Sequence, residues 1–114
     1  MRGEQYLTEA KQYASVYNKG ASLADKLIVL KTLSNKLSYS RYGFSVSSRI
    51  GGAVVRNRVK RRLREILRST SLETGWDIVI IARSKAALAD YSDLKYSVYS
   101  LLLKAQIIKN VIAG

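Results

Sequence analysis

The stretch Gly43 to Arg68, GFSVSSRIGGAVVRNRVKRRLREILR, contains a change of period that decides the fold. Read from Arg41, its first residues alternate. Tyr42, Phe44 and Val46 fall on one side and Arg41, Gly43 and Ser45 on the other, the two-residue period of a half-buried strand running from Arg41 to Ser47. Arg49-Ile50-Gly51-Gly52 then interrupts the pattern, and its glycines let backbone approach a partner closely. From Ala53 to about Ser69 the apolar residues Val55, Val59, Leu63, Ile66 and Leu67 recur at helical spacing. At 100° per residue they fall within roughly 120° of arc. Arg56, Lys60, Arg61, Arg64 and Arg68 occupy the opposite and flanking surface. One side of this helix is built to dock on a sheet and the other is offered outward.

That outward side is dense in charge. Arg56 to Arg68 carries seven cations and one acid, so it holds +6 of the +12 of the 114-residue chain. Charge this concentrated repels itself unless something negative neutralises it, and a phosphate backbone releases counterions when it does so. The alternative is a solvated basic face, although such faces usually mix both signs.

Composition narrows the class. A hydrophobic content of 47% supports a real core, and 114 residues suit a single domain spanning 1–114. No run of about 18 apolar residues exists, so no membrane-spanning helix is expected. The opening MRGEQYLTEAKQYASVY lacks the apolar stretch of a secretory signal, which points to the cytoplasm. Cysteine and histidine are absent, excluding a disulfide framework, a thiolate metal site and an imidazole base. A sequence pI near 10.2 points to nucleic acid, with an anionic membrane surface as the alternative.

The flanking segments complete the pattern. Thr8 can cap a first helix running to about Asn18, with Ala10, Tyr13, Ala14 and Tyr17 on one face. Leu23 to Leu33 reads as a strand and Ser34-Asn35-Lys36 as a turn. Gly75 opens the strand Trp76 to Ala82, WDIVIIA, whose near-continuous apolar character suits a central position. Asp90 can cap a last helix with the stripe Leu94, Val98, Leu101, Leu102, Ala105 and Ile108, with Asp93 favourable to the dipole. Together these predict an α+β fold, a two-layer α/β sandwich with a sheet of about four strands and three helices.

The acids do not assemble a catalytic set. Only Asp90 and Asp93 are close, and helix capping explains them. Glu65 is expected to pair with Arg61, Arg62 or Arg68. Tyr and Ser are plentiful without a base to activate them. No catalytic residue and no metal ligand is assigned to the chain.

Gly43 to Arg68 closely resembles the protein subunit of bacterial ribonuclease P. In that family a strand ends in Ser and basic residues, followed by a glycine turn, an Ala-Val pair and the signature Arg-Asn-Arg-x-Lys-Arg-x-x-Arg, here Arg56, Asn57, Arg58, Lys60, Arg61 and Arg64. The likeness extends to the aromatic pair of the first helix, the WDIVIIAR strand and the last helix, nearly the whole chain. It implies a left-handed βαβ crossover around the basic helix, against the usual right-handed rule. It also implies a ribonucleoprotein endoribonuclease that removes the 5′ leader of precursor tRNA. In it the RNA holds Mg²⁺ and performs hydrolysis, and the protein is accessory. The partners implied are the catalytic RNA and precursor tRNA, with no DNA and no membrane.

Carried over by motif, Arg56, Asn57, Arg58, Lys60, Arg61 and Arg64 are the candidate contacts to the catalytic RNA. Guanidinium forks grip phosphate oxygens bidentately, which suits that role. Asn57 could instead cap or brace the helix start, and Arg62 and Arg68 could be solvated surface. Tyr13, Tyr17, Lys31 and Arg49 are the candidates for the single-stranded leader. Tyr13 and Tyr17 stand where the family often has phenylalanine, and Lys31 where it often has tyrosine. Stacking on an aromatic ring tolerates any base. Core packing is the other reading of the two tyrosines. Ser48-Arg49 has one cation fewer than the family's basic pair, and the basic N-terminal run is thin, with Arg2 and Lys11 among Glu4 and Glu9. Arg41, Arg49 and Arg83 are candidates to compensate. A ribosomal type of RNA-binding protein and a stand-alone nuclease are the competing classes.

Overall fold

The structure, a computed structural model, describes residues 6–108; Arg2 and Glu4 lie outside them. The element order is α1 (Ala10–Lys19), β1 (Ala21–Ala24), β2 (Ile28–Ser34), β3 (Arg41–Ser45), α2 (Ala53–Arg68), β4 (Trp76–Ala82), a 3₁₀ turn (Ser84–Ala87) and α3 (Tyr91–Lys104). The four strands form one sheet in the order β1-β2-β4-β3. β1 with β2 and β2 with β4 are antiparallel, whereas β3 and β4 are parallel. α2 is the crossover between that parallel pair. WDIVIIA is central as its near-continuous apolar character predicts, and Ile78, Val79 and Ile80 have no exposed surface.

The two faces of the sheet are covered differently. Ile28, Leu30, Ile78 and Ile80 face the main core, which α2 closes with Val59, Leu63, Ile66 and Leu67 and α3 with Leu94, Val98, Leu101 and Leu102. This is the expected sandwich. α1 adds cover on the reverse face, where Val16 and Leu7 bury Val79, flanked by Tyr13, Leu33 and Ile81. Strand alternation divides β4 in this way, with even-numbered residues against α2 and α3 and odd-numbered ones against α1.

Several boundaries differ from the sequence expectation. Leu23–Leu33 is not one strand but a hairpin folded at Asp25. Its carboxylate accepts N–H bonds from Leu27 at 2.8 Å and Ile28 at 3.0 Å, so the side chain replaces ladder pairing across the turn. α1 starts one residue late, because Glu9 rather than Thr8 is its cap. The Gln12 side-chain oxygen Oε1 accepts the N–H groups of both Thr8 and Glu9. β3 ends at Ser45, although Val46 remains buried. α3 ends at Lys104, short of Ala105 and Ile108. Gln106 takes φ 62° and the Ile107 N–H reaches back to the Leu102 carbonyl at 3.0 Å. The Asp90 cap forms as expected, accepting the Asp93 N–H at 2.8 Å. Among the described residues no helix is long and apolar enough to cross a membrane.

Candidate nucleic-acid interface

α2 divides its cations into three groups, a consequence of the 100° step. Val59, Leu63, Ile66 and Leu67 are buried beneath it. Asn57, Arg61 and Arg68 stand on its exposed ridge, and Arg56, Lys60 and Arg64 are half-buried along the flank. Arg58 and Arg62 lie on the other flank and are bound inward. Arg58 Nη2 donates to the Ala87 carbonyl at 3.1 Å and Arg62 Nη1 to the Ala89 carbonyl at 3.1 Å. The structure thus separates Arg58 from its signature neighbours, since part of its hydrogen-bonding capacity ties α2 to the segment after β4. The buried Nε atoms of Arg56 and Arg58 have no partner among the described residues.

No ion pair joins Glu65 to Arg61, Arg62 or Arg68, contrary to the expectation from spacing. Among the described residues the ion pairs are Lys11–Glu9 and Arg41–Asp77. The outward cations of α2 therefore keep their charge unneutralised by any acid among the described residues. Asn57 is exposed and Gly52 occupies the cap position, so Asn57 does not cap the helix. The turn before α2 is closed by the Ile50 N–H to the Ser47 carbonyl at 3.1 Å. Gly51 permits φ 155° there, where a Cβ would stand 3.0 Å from Val55. Arg49 is exposed on this turn, just beyond the end of β3.

A groove of about 470 Å³ runs between α1 and β3, lined by Ala10, Tyr13, Ala14, Tyr17, Phe44 and Ser45. Gly43 makes it possible. The Tyr13 ring lies so close over Gly43 that a Cβ there would overlap the hydroxyl and stand 2.6 Å from Cζ. The Tyr13 and Tyr17 rings are 6.4 Å apart and tilted by 47°, a distance at which both can border one base. Tyr13 is half-buried and packs partly on the reverse-face core, whereas Tyr17 keeps 39% of its surface exposed. Burial, and then the neighbouring Tyr17, pushes the Tyr13 phenol up, so it is uncharged at neutral pH. Lys31 and Gly43 both pair with Val79, placing Lys31 on the same face two strands away, about 10 Å across the sheet.

Other basic residues are committed elsewhere. Arg41 grips the buried Asp77 bidentately, Nε to Oδ1 at 2.8 Å and Nη2 to Oδ2 at 2.7 Å, and Asn35 adds a third bond at 2.8 Å. That removes Arg41 from the residues offered as compensating cations. Sequence reasoning missed the Asn35 and Asp77 partnership; an acid inside WDIVIIA was its one signal. Tyr42 is buried on the main core in edge-to-face contact with Tyr6, ring centroids 5.1 Å apart, and burial followed by Tyr6 raises its pKa strongly. Among the described residues no three Asp, Glu, His or Cys side chains gather to hold a metal ion.

Comparison with known proteins places the chain in context. The family model described as Ribonuclease P matches residues 1–106. The chain is 48% identical over 108 residues to the ribonuclease P protein component of Dehalococcoides mccartyi strain CBDB1, covering 95% of this chain and 90% of that one. It is 39% identical over 103 residues to the component from Thermoanaerobacter sp. strain X514, covering 89% of each. Among solved structures, the RNase P protein of Staphylococcus aureus superposes with a TM-score of 0.83 at 30% identity, covering 92% of this chain and 98% of that one. The RNase P protein from Thermotoga maritima superposes with a TM-score of 0.80 at 30% identity, covering 87% and 96%.

Proposed function

Since the chain belongs to the ribonuclease P protein family and so serves tRNA 5′-leader processing alongside the ribonuclease P RNA, we propose how its two surfaces divide that work. The exposed ridge and flank of α2, Asn57, Arg61, Arg56, Lys60 and Arg64, docks on the catalytic RNA. Arg58 holds this surface in place through Ala87 and adds its remaining donors. The groove between α1 and β3 takes the single-stranded leader of precursor tRNA, with bases against Tyr13 and Tyr17 and phosphates toward Lys31 and Arg49. In this reading the RNA holds the Mg²⁺ ions and carries out hydrolysis, and the protein acts in the cytoplasm by binding and orienting.

The observation that carries the proposal is the array of cations on α2 that no acid among the described residues neutralises. Phosphates would neutralise it and release counterions, a favourable term that grows with each phosphate engaged. The groove supports the second half, because uncharged aromatic rings of a hydrophobic channel stack any base and so accept leaders of varied sequence. The test is reconstitution. Adding the protein to a ribonuclease P RNA at low Mg²⁺ should stimulate leader removal, because protein cations take over part of the screening that metal otherwise supplies. No binding to that RNA and no stimulation would overturn the proposal, and cleavage by RNA-free protein would move the chemistry into the chain.

A further inference from the structure

A second basic site lies outside both surfaces. Ala24, Asp25, Lys26, Arg83, Ser84 and Lys85 enclose a solvent-open pocket of about 500 Å³ where the β1–β2 turn meets the end of β4. Three of these residues are cations. The one acid, Asp25, is turned inward: its carboxylate accepts the Leu27 and Ile28 N–H groups and the Ser97 hydroxyl. Arg83 is fixed by one bond, Nη1 to the Asp25 carbonyl at 2.7 Å, and its backbone N–H continues the ladder to the Leu27 carbonyl at 2.8 Å. Lys26 and Lys85 are exposed and form no ion pair among the described residues. Arg58 and Arg62 brace the neighbouring segment through the Ala87 and Ala89 carbonyls. The pocket is therefore a cationic concavity on a braced frame.

Its position relative to the groove gives it a use. Ser45, on the groove floor, pairs with Ile81, and Arg83 follows two residues later. With strands about 4.8 Å apart and a rise of about 3.3 Å per residue, Arg83 lies about 8 Å from Ser45. From there the Arg83 side chain reaches the Asp25 carbonyl at the β1–β2 turn, so the pocket lies past this end of the sheet, on the far side of β4 from β3.

We infer that Lys26, Arg83 and Lys85 form a second phosphate-binding point on the single-stranded leader, gripping the backbone of nucleotides beyond those stacked in the groove. The inference rests on the groove reading and extends it: the protein's hold lengthens with the leader, and the added grip is electrostatic and indifferent to sequence.

The experiment uses the reconstituted holoenzyme and three ligands. These are mature tRNA, a precursor whose leader just fills the groove, and one with a leader several nucleotides longer. The variants are Lys26→Gln/Lys85→Gln, the charge-retaining Lys26→Arg/Lys85→Arg, and Tyr13→Ala. The glutamine pair should weaken binding of the long-leader precursor only, with the arginine pair restoring it. Withdrawing two cations from single-strand phosphates makes the salt slope shallower by about 1.4, so the deficit shrinks about sevenfold between 50 and 200 mM salt. Wild-type affinity and slope on the long leader would overturn the inference, as would an equal loss on mature tRNA. Tyr13→Ala should weaken both precursors. If it is neutral, the groove reading fails, whatever the lysine variants do.

Discussion

Replacing Gly43 by alanine tests the groove with a single methyl group. A Cβ at this position would overlap the Tyr13 hydroxyl and approach Cζ to 2.6 Å and Cε1 to 2.9 Å, so the ring must swing away. The obstacle is the far end of one side chain, not backbone. The folding cost is therefore that of an off-rotamer tyrosine, about 1 kcal/mol, and the protein should still fold. The functional cost is larger. A displaced Tyr13 forfeits its stacking, worth about 1–3 kcal/mol, or about 5- to 150-fold in affinity for the leader. The assay is the difference in binding of precursor and mature tRNA by the reconstituted holoenzyme, with thermal denaturation of the free protein alongside. Gly43→Ala should shrink the preference for precursor and leave mature tRNA binding unchanged. A double-mutant cycle sharpens the prediction: once Tyr13→Ala is in place, Gly43→Ala should cost almost nothing more in leader binding. Additive losses, or an undiminished preference in the single variant, would refute the claim that Tyr13 reads the leader from above Gly43.

Arg61→Ala should weaken assembly with the catalytic RNA and make its salt slope shallower by about 0.9 for each duplex phosphate that Arg61 neutralises, with no fall in Tm; a filter-binding titration measures it. Arg58→Ala should also lower Tm, because it removes a charged hydrogen bond to Ala87 worth about 1.5–3 kcal/mol; scanning calorimetry separates the two arginines. Asp77→Ala should be severely destabilising, about 3 kcal/mol or more, since it strands the half-buried Arg41 and Asn35 together; a urea melt gives the value. For Asp25, burial pushes the carboxyl up, but the Ser97 hydroxyl, the Ile28 and Leu27 N–H groups and the Arg83 charge outweigh it and hold the carboxyl below its usual 3.8. Its stabilisation is thus present above the unfolded value and lost as pH falls through the lower folded one. Ser97→Ala should move the Asp25 titration back toward 3.8 by carboxyl-carbon NMR.

Elements written in one period were legible in the sequence. α2 could be read to within a residue because its apolar stripe and its cations obey the same 100° rule, and β4 because nothing polar but Asp77 interrupts it. What escaped depended on partners distant in the chain. Asp25 looked like a polar residue inside an apolar run, and only its bonds to Leu27, Ile28 and Ser97 make it the corner of a hairpin. Arg58 could not be told from Arg61 by motif, since the difference lies in the Ala87 carbonyl that folding brings beneath one and not the other. Tyr13 showed its helix face but not the glycine under its ring. The residue types of the candidate site were thus visible; which of them are free and which are engaged was not.

The uncompensated cations on α2 also mean that ionic strength acts on this protein in two opposing senses. Dissolved alone, it should melt higher as electrolyte is added, because screening relieves crowding among Arg56, Lys60, Arg61 and Arg64 that no carboxylate among the described residues relieves. Joined to a polyanion, it should hold less tightly under the same change, because the entropy released by freed ions diminishes. A strained unbound state and a salt-fragile bound state are two faces of one electrostatic arrangement. The gap between their responses measures how completely the polyanion satisfies this helix.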